Sequence, residues 1–327
     1  MFLRRSVQNL GLSRLARNPY STSSGAPYLL SPRELQGLLQ AKKDIAVLDA
    51  SWFMPNSPRN ARNEFASKRL PNAQFLDLDE VASPHELGLK HMLPSEDAFA
   101  RACENFGINP KTHVVIYDTH GVFSSPRALY MFRSFGHTES SIVDGGSPRW
   151  EFEGLPTETG SPKIPRKATY PKPSFDKLSV RDYQQMVNNS STASTSPGTE
   201  FVLDARSRGR YLGTDPEPRP GLSSGHIPHS FSVPFTLFLQ TNETPNSSFT
   251  TFKSPPEIRK ALDEAIGPEN TQSIINGERS AITTCGSGMT AGILWLGLRL
   301  LGGQRVSLYD ESWTGYAMRP ESEIVKQ

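Results

Sequence analysis

The order of apolar runs along this 327-residue chain occurs twice, and that repetition constrains the fold more than any other feature. Ile45-Ala46-Val47-Leu48-Asp49-Ala50 in one half corresponds to Phe201-Val202-Leu203-Asp204-Ala205 in the other. Each is a short apolar run ending in Asp-Ala, the pattern of a buried strand that carries a carboxylate to its C-terminal end. Leu70-Pro71-Asn72-Ala73 and His226-Ile227-Pro228-His229-Ser230 follow, each leading into a further apolar run. Next come the strand patterns His113 to Asp118 and Ser280 to Cys285, each followed by a Gly/Ser-rich turn and an amphipathic helix, Pro126 to Phe135 and Thr290 to Leu301. Gly136 and Gly302-Gly303 stop those helices, because glycine tolerates the left-handed turn after a helix end. Ser141 to Asp144 and Val306 to Asp310 close the two series. Strand, helix and strand in alternation predict an α/β fold of two tandem domains, each a mainly parallel sheet with helices on both faces.

Charge and composition narrow the function. The formal net charge is +2, but Arg4, Arg5, Arg14 and Arg17 precede the first acid, Glu34, so the remainder is slightly acidic and a nucleic-acid partner is not expected. Leu3, Val7 and Leu10 fall at helical spacing among those arginines and serines, the composition of a mitochondrial transit peptide with Tyr20 to Ser24 as its processing region. This places the chain in the mitochondrial matrix and leaves a cytoplasmic pool open. The expected division is residues 1–24 for the transit peptide, 25–154 for a first domain, 155–174 for a linker and 175–327 for a second domain. Five prolines between Gly154 and Ser174 predict an extended surface linker, and Asn188–Thr199 and Asn242–Ser248 read as flexible polar loops. No apolar run reaches the length of a membrane span, so no membrane partner is expected. Two cysteines, with no grouped His/Cys set, predict neither a disulfide framework nor a metal, and Gly286-Ser287-Gly288 lacks the dinucleotide spacing, so no cofactor is expected.

Thiol chemistry then rests on Cys285. Cys285-Gly286-Ser287-Gly288-Met289-Thr290 follows a strand pattern and opens a helix. Gly286 and Gly288 let the backbone curl so that successive N–H groups face inward, and the helix dipole adds to that anion cradle. A cysteine at the base of such a cradle is expected to act as a nucleophile. Cys103, in the helical stretch Phe99 to Glu104, reads as core. A cysteine-phosphatase loop needs a closing arginine where Ala291 stands, so that chemistry is not expected.

Cys-Gly-Ser-Gly-Met-Thr-Ala from Cys285 resembles the active-site loop of the mercaptopyruvate sulfurtransferases, the two-domain branch of the rhodanese family. Asp204-Ala205-Arg206, Gly209-Arg210-Tyr211, Pro216-Glu217-Pro218-Arg219 and Gly225-His226-Ile227-Pro228 are similar to that family in order. So are Asp49-Ala50-Ser51-Trp52, His91-Met92-Leu93-Pro94, Ser125-Pro126-Arg127 and Asp144-Gly145-Gly146. The resemblance implies a catalytic second domain and a first domain without a nucleophile, where Asp118 takes the repeat position of Cys285. It implies that Cys285 takes sulfur from a small donor as a persulfide and passes it to a thiol, cyanide or a protein such as thioredoxin. It further implies that Arg210 and Arg219 hold the substrate carboxylate, within a site that includes Gly286, Gly288, Met289 and Thr290. Ser287, His91 and Asp79 would handle protons. Lys90 stands where relatives often have Asp, and Met289 where valine is usual. Asp204 and His226 read as framework, Arg206 and Arg208 as scaffold or solvent residues, and Trp313 as either pocket wall or core.

Thiosulfate-preferring relatives carry cationic side chains in this loop, whereas Gly286 and Ser287 leave it neutral here. The expected donor is therefore 3-mercaptopyruvate, with thiosulfate weaker. A thiosulfate-preferring rhodanese, a persulfide carrier for tRNA thiolation or cofactor biosynthesis, and a non-catalytic binding module are the other readings.

Overall fold

In the computed structural model, residues 25–193, 196, 198–245 and 248–327 are described. Residues 1–24, expected from the sequence to be a transit peptide, and parts of both polar loops lie outside them. Twelve strands occur among the described residues: β1 Leu29–Leu30, β2 Ile45–Asp49, β3 Gln74–Phe75, β4 His113–Tyr117, β5 Ser140–Val143, β6 Val180–Arg181, β7 Phe201–Asp204, β8 Phe231–Ser232, β9 Leu239–Glu243, β10 Ser248–Phe252, β11 Ala281–Thr284 and β12 Val306–Tyr309. Two five-stranded sheets follow the orders β1-β5-β4-β2-β3 and β6-β12-β11-β7-β8. Every pairing within them is parallel. The orders superpose strand for strand, so the sequence repeat is a repeat of topology.

The central strands form where the apolar runs lie because a parallel sheet covered on both faces buries every residue of a strand. β5, β7, β11 and β12 are buried throughout. Register matters for the site: Asp49 lies opposite Tyr117 and Asp204 opposite Thr284. Asp118 and Cys285 therefore leave their sheets at the same place, beyond the C-terminal edge where ligands bind in open parallel sheets.

Sequence patterning misses the four two-residue strands, which are too short to carry a period. The capped helices after two of them repeat as well. Ser31 and Glu34 form a capping box on Pro32–Gln40, and Asp182 and Gln185 form one on Tyr183–Ser190. Two loop expectations need correction. Asn188 to Ser190 complete the Tyr183–Ser190 helix, and Asn242, Glu243 and Ser248 belong to an antiparallel hairpin of β9 and β10. The hairpin lies against the first domain. Thr250 Oγ1 accepts the Val122 N–H at 2.9 Å, and the Asp144 carboxylate accepts the Phe252 N–H at 2.9 Å. The proline-rich connection has no helix but is tied down: Glu158 bridges to Arg69, and buried Tyr170 packs on Phe99 with its hydroxyl 2.9 Å from His137 Nδ1.

The helices Ser125–Ser134 and Ala291–Leu300, which follow the two repeated turns, pack on each other and join the domains. They approach so closely that a Cβ on Gly292 would lie 2.8 Å from the Arg127 backbone nitrogen. One apolar cluster runs through this contact, from Leu48 and Ile116 to Leu294 and Leu298.

His113 gives the fold a measurable acid response. Its Nε2 lies 2.8 Å from Ser141 Oγ, and burial, with the charges of Arg133 and His137 adding, pushes its pKa down to about 4. The unfolded chain protonates this ring below about pH 6.5, so its contribution to stability is lost as pH falls from about 6.5 toward about 4. His113→Gln keeps a partner for Ser141 and flattens that interval, as urea midpoints measured across it will show.

Candidate active site

Cys285 follows β11 at the sheet edge and is 2% exposed. Its backbone is fixed from the start of the helix Ser312–Ala317. Ser312 Oγ accepts the Cys285 N–H at 3.2 Å, the Trp313 N–H donates to the Cys285 carbonyl at 2.9 Å, and the Thr314 N–H donates to the Gly286 carbonyl at 2.9 Å. Thr314 Oγ1 donates to the same Gly286 carbonyl. In a trans peptide the N–H points opposite to the carbonyl. Drawing the Cys285 and Gly286 carbonyls toward that helix therefore turns the N–H groups of Gly286 and Ser287 the other way, into the loop. Gly288 continues the curl at φ +84°, where a side chain is strained. Met289 is buried and Thr290 caps the ten-residue helix that follows, so its positive end faces the loop. Ser312 itself sits at φ +51°, a conformation held by its hydroxyl bonds to Cys285 and to the Tyr309 carbonyl.

Two guanidinium groups converge beside the cysteine. A Cβ on Gly286 would lie 3.0 Å from Arg210 Nη2 and 3.6 Å from Arg219 Nη1, so glycine here leaves the space that they occupy. Arg210 is held by Glu217, whose carboxylate accepts from Nε at 3.1 Å and Nη2 at 2.5 Å and also accepts from buried Arg206 at 2.7 Å. Arg206 pairs in turn with Asp204 at the end of β7, making it the scaffold of this arm. Arg208 is exposed. Burial works against the charge of Arg219, and Arg210 beside it works in the same direction, while Cys285, Glu217 and Asp79 favour the charge. The net shift is downward, as expected of a cation lacking a full set of anionic partners. Sequence reasoning missed Glu217 and Ser312 as positioning groups. Glu217 had a signal, standing two residues before Arg219 in a Pro-flanked turn. Ser312 had none.

The first domain contributes a second arm. His91 Nδ1 lies 2.8 Å from Asp79 Oδ1, and the ring stands edge-on to Trp52 with centroids 5.1 Å apart. Burial lowers the His91 pKa and Arg127 and Arg219 add to this, against the opposing pull of Asp79. Partial burial disfavours the charge of Asp79, but bonds to His91 and Trp52 outweigh it and hold the carboxyl below its usual range. His91 is thus neutral near pH 7 and donates Nδ1–H to the carboxylate, leaving Nε2 as a lone-pair acceptor. Nε2 is buried and bonded to nothing among the described residues. The structure brings His91 and Asp79 together, and both belong to the charged surroundings of Arg219. No hydrogen bond joins His91 to Ser287 among the described residues. Lys90, beside His91 in sequence, is exposed.

The corresponding turn of the first domain is filled from within. The Asp118 carboxylate accepts backbone N–H groups from His120, Phe123, Ser124 and Ser125 at 2.8–3.1 Å, and the Ser125 hydroxyl at 2.7 Å. Those amides face one anion, supplied by the chain itself. At Cys285 the amides of Gly286 to Thr290 have no such internal acceptor among the described residues.

The remaining candidates sort by contact. Cys103 is buried in the core and its thiol is pushed up by burial, with Glu104 adding. Trp313 is core: its indole N–H donates to the Ser223 carbonyl and its face carries the Arg206 guanidinium at 4.1 Å. His226 stacks on Tyr211 and pairs with the Tyr211 carbonyl, a framework role. Among the described residues no group of His, Cys, Asp and Glu could hold a metal, and no helix is long and apolar enough to cross a membrane.

Comparison with known proteins fits this geometry. The rhodanese-like domain family matches residues 31–153 and 179–319. A probable 3-mercaptopyruvate sulfurtransferase from Schizosaccharomyces pombe is 37% identical over 88% of this chain and 93% of its own length. An Arabidopsis thaliana protein, mitochondrial thiosulfate/3-mercaptopyruvate sulfurtransferase 1, is 35% identical over 98% of this chain and 84% of its own length. The crystal structure of the Tum1 protein from Saccharomyces cerevisiae aligns with a TM-score of 0.77 and 27% identity, over 92% of this chain and 98% of that one. With two matched domains, a shared topology and a cysteine in a loop of inward amides, the chain belongs to the rhodanese family and is a sulfurtransferase.

Proposed function

We propose that this sulfurtransferase takes sulfur from 3-mercaptopyruvate onto Cys285 and delivers it to a thiol. The observation that carries the reading is the convergence of Arg210 and Arg219 on Gly286, beside the nucleophile. Two guanidinium forks suit a planar carboxylate, and the loop adds no cationic side chain of its own. The Cys285 thiolate attacks the donor sulfur: an S–S bond forms, the C–S bond breaks, and its electron pair leaves on carbon as the enolate of pyruvate. The His91 Nε2 lone pair accepts the donor thiol proton, and Ser287 relays it to that carbon, releasing pyruvate. The amides of Gly286 to Thr290 and the helix end hold the negative persulfide. An acceptor thiolate then attacks the outer sulfur and restores the Cys285 thiolate.

The Arabidopsis relative is named for both thiosulfate and 3-mercaptopyruvate, and we assign thiosulfate here as the weaker donor. We also assign thioredoxin-type and small-thiol acceptors, the mitochondrial matrix as location, and the division 1–24, 25–154, 155–174 and 175–327. The family matches fall within the two proposed domains, and the acid-free arginine-rich segment supports the location. Steady-state turnover with each donor, using dithiothreitol and then thioredoxin, tests the reading. A kcat/KM for 3-mercaptopyruvate at least about tenfold above that for thiosulfate is expected, since an equal ratio removes the carboxylate argument. Slow discharge to every small thiol, with rapid discharge to a protein, would make the chain a sulfur carrier.

A further inference from the structure

We propose that Arg127, from the first domain, is a positioning residue for this reaction: it clamps the turn carrying His91 and seats it against the Cys285 loop. The inference rests on the reading of His91 as the proton-handling group. Arg127 is fully buried in the helix Ser125–Ser134. Its Nη2 donates to the His91 carbonyl at 2.7 Å and to Asp310 Oδ1 at 2.5 Å. Asp310 Oδ2 accepts the Leu93 N–H at 2.8 Å. The turn is thus held at both ends, at the His91 carbonyl and the Leu93 amide, by two side chains that pair with each other across the domain boundary.

The turn needs holding. His91 has φ +47°, in the left-handed region that a residue with a Cβ avoids. The same guanidinium reaches the nucleophile loop. A Cβ on Gly288 would lie 3.3 Å from Arg127 Nη1 and 3.0 Å from the Asp310 carbonyl, so the pair packs directly against the Gly288 backbone. Nη1 is buried and bonded to nothing among the described residues. One planar group therefore touches the His91 turn, the end of β12 and the cysteine loop. Only arginine combines the length, the permanent charge and the flat fork for three neighbours. The charged groups around His91 are Asp79, Arg127 and Arg219, with Asp310 behind Arg127.

The test is a double-mutant cycle on turnover of 3-mercaptopyruvate. Arg127→Gln retains an amide donor for the His91 carbonyl and removes the charge and the fork. It lowers kcat by roughly 10- to 100-fold, the cost of a small misplacement, and leaves KM within about twofold because Arg210 and Arg219 remain. In a His91→Ala background the same substitution causes little further loss, since a residue acting through His91 has nothing left to position. Asp310→Asn, which keeps an oxygen for the Leu93 N–H, shows the same pattern and decides the matter if Arg127→Gln does not fold. Equal losses with and without His91, or an unchanged kcat, overturn the assignment of Arg127. Full activity of His91→Ala alone overturns the parent reading of His91, and this one with it.

Discussion

Cys285→Ser is expected to give a folded protein whose sulfur transfer from every donor falls to background. A hydroxyl in place of the thiol can neither attack the donor sulfur nor hold it, and the other cysteine, Cys103, is enclosed in the first-domain core. The surrounding bonds survive the substitution because they are made to the Cys285 backbone: the N–H donates to Ser312 and the carbonyl accepts from Trp313. Stability should change by no more than about 2 kcal/mol, the order of one buried hydroxyl seeking a partner. Thermal melts beside donor and acceptor assays check both halves. Activity retained by a folded Cys285→Ser would move the chemistry elsewhere in the protein.

Arg219→Ala is expected to cost kcat/KM with 3-mercaptopyruvate roughly 10- to 150-fold, corresponding to about 1.5–3 kcal/mol for a lost charge-assisted bond. Arg210 is already engaged by Glu217 on two nitrogens, whereas Arg219 sits beside Cys285 with its charge partly uncompensated. A substrate carboxylate would supply the missing partner. The loss should be smaller with thiosulfate, which lacks a carboxylate, and folding should be unaffected because Arg219 is only half-buried. An equal loss with both donors would make Arg219 a general anion attractor and not a carboxylate-specific group. Glu217 joins Arg210 to the buried Arg206–Asp204 pair and so fixes the direction of the first guanidinium.

The two sheets were legible in the sequence because their central strands are continuous apolar runs ending in Asp-Ala or in the turn residues Asp118 and Cys285. Repetition made the assignment mutual: each half supports the other. The edges were not legible, since strands such as Leu29–Leu30 and Val180–Arg181 are two residues long and exist by pairing with a neighbour. The hairpin of Leu239–Glu243 and Ser248–Phe252 was hidden by its polar composition, and it is stabilised by contacts with the other domain at Val122 and Asp144. The same distinction applies at the site. The Cys285 loop and both arginines stand within recognisable runs. Ser312, Asp310 and Arg127 reach the loop only through folding, from the end of β12 and from the opposite domain. The difference between the two repeated turns also became physical only in three dimensions. Asp118 occupies the position of Cys285, and its carboxylate consumes four amides of its own turn.

Between the two half-reactions, sulfur is expected to reside on Cys285. The most direct measurement is intact-protein and peptide mass spectrometry after one equivalent of 3-mercaptopyruvate without acceptor, with released pyruvate counted in the same sample. One additional sulfur atom on the peptide containing Cys285, matched by one pyruvate and absent from Cys285→Ser, is the predicted result. Pyruvate released with no sulfur retained on Cys285, or sulfur found on Cys103, would contradict it.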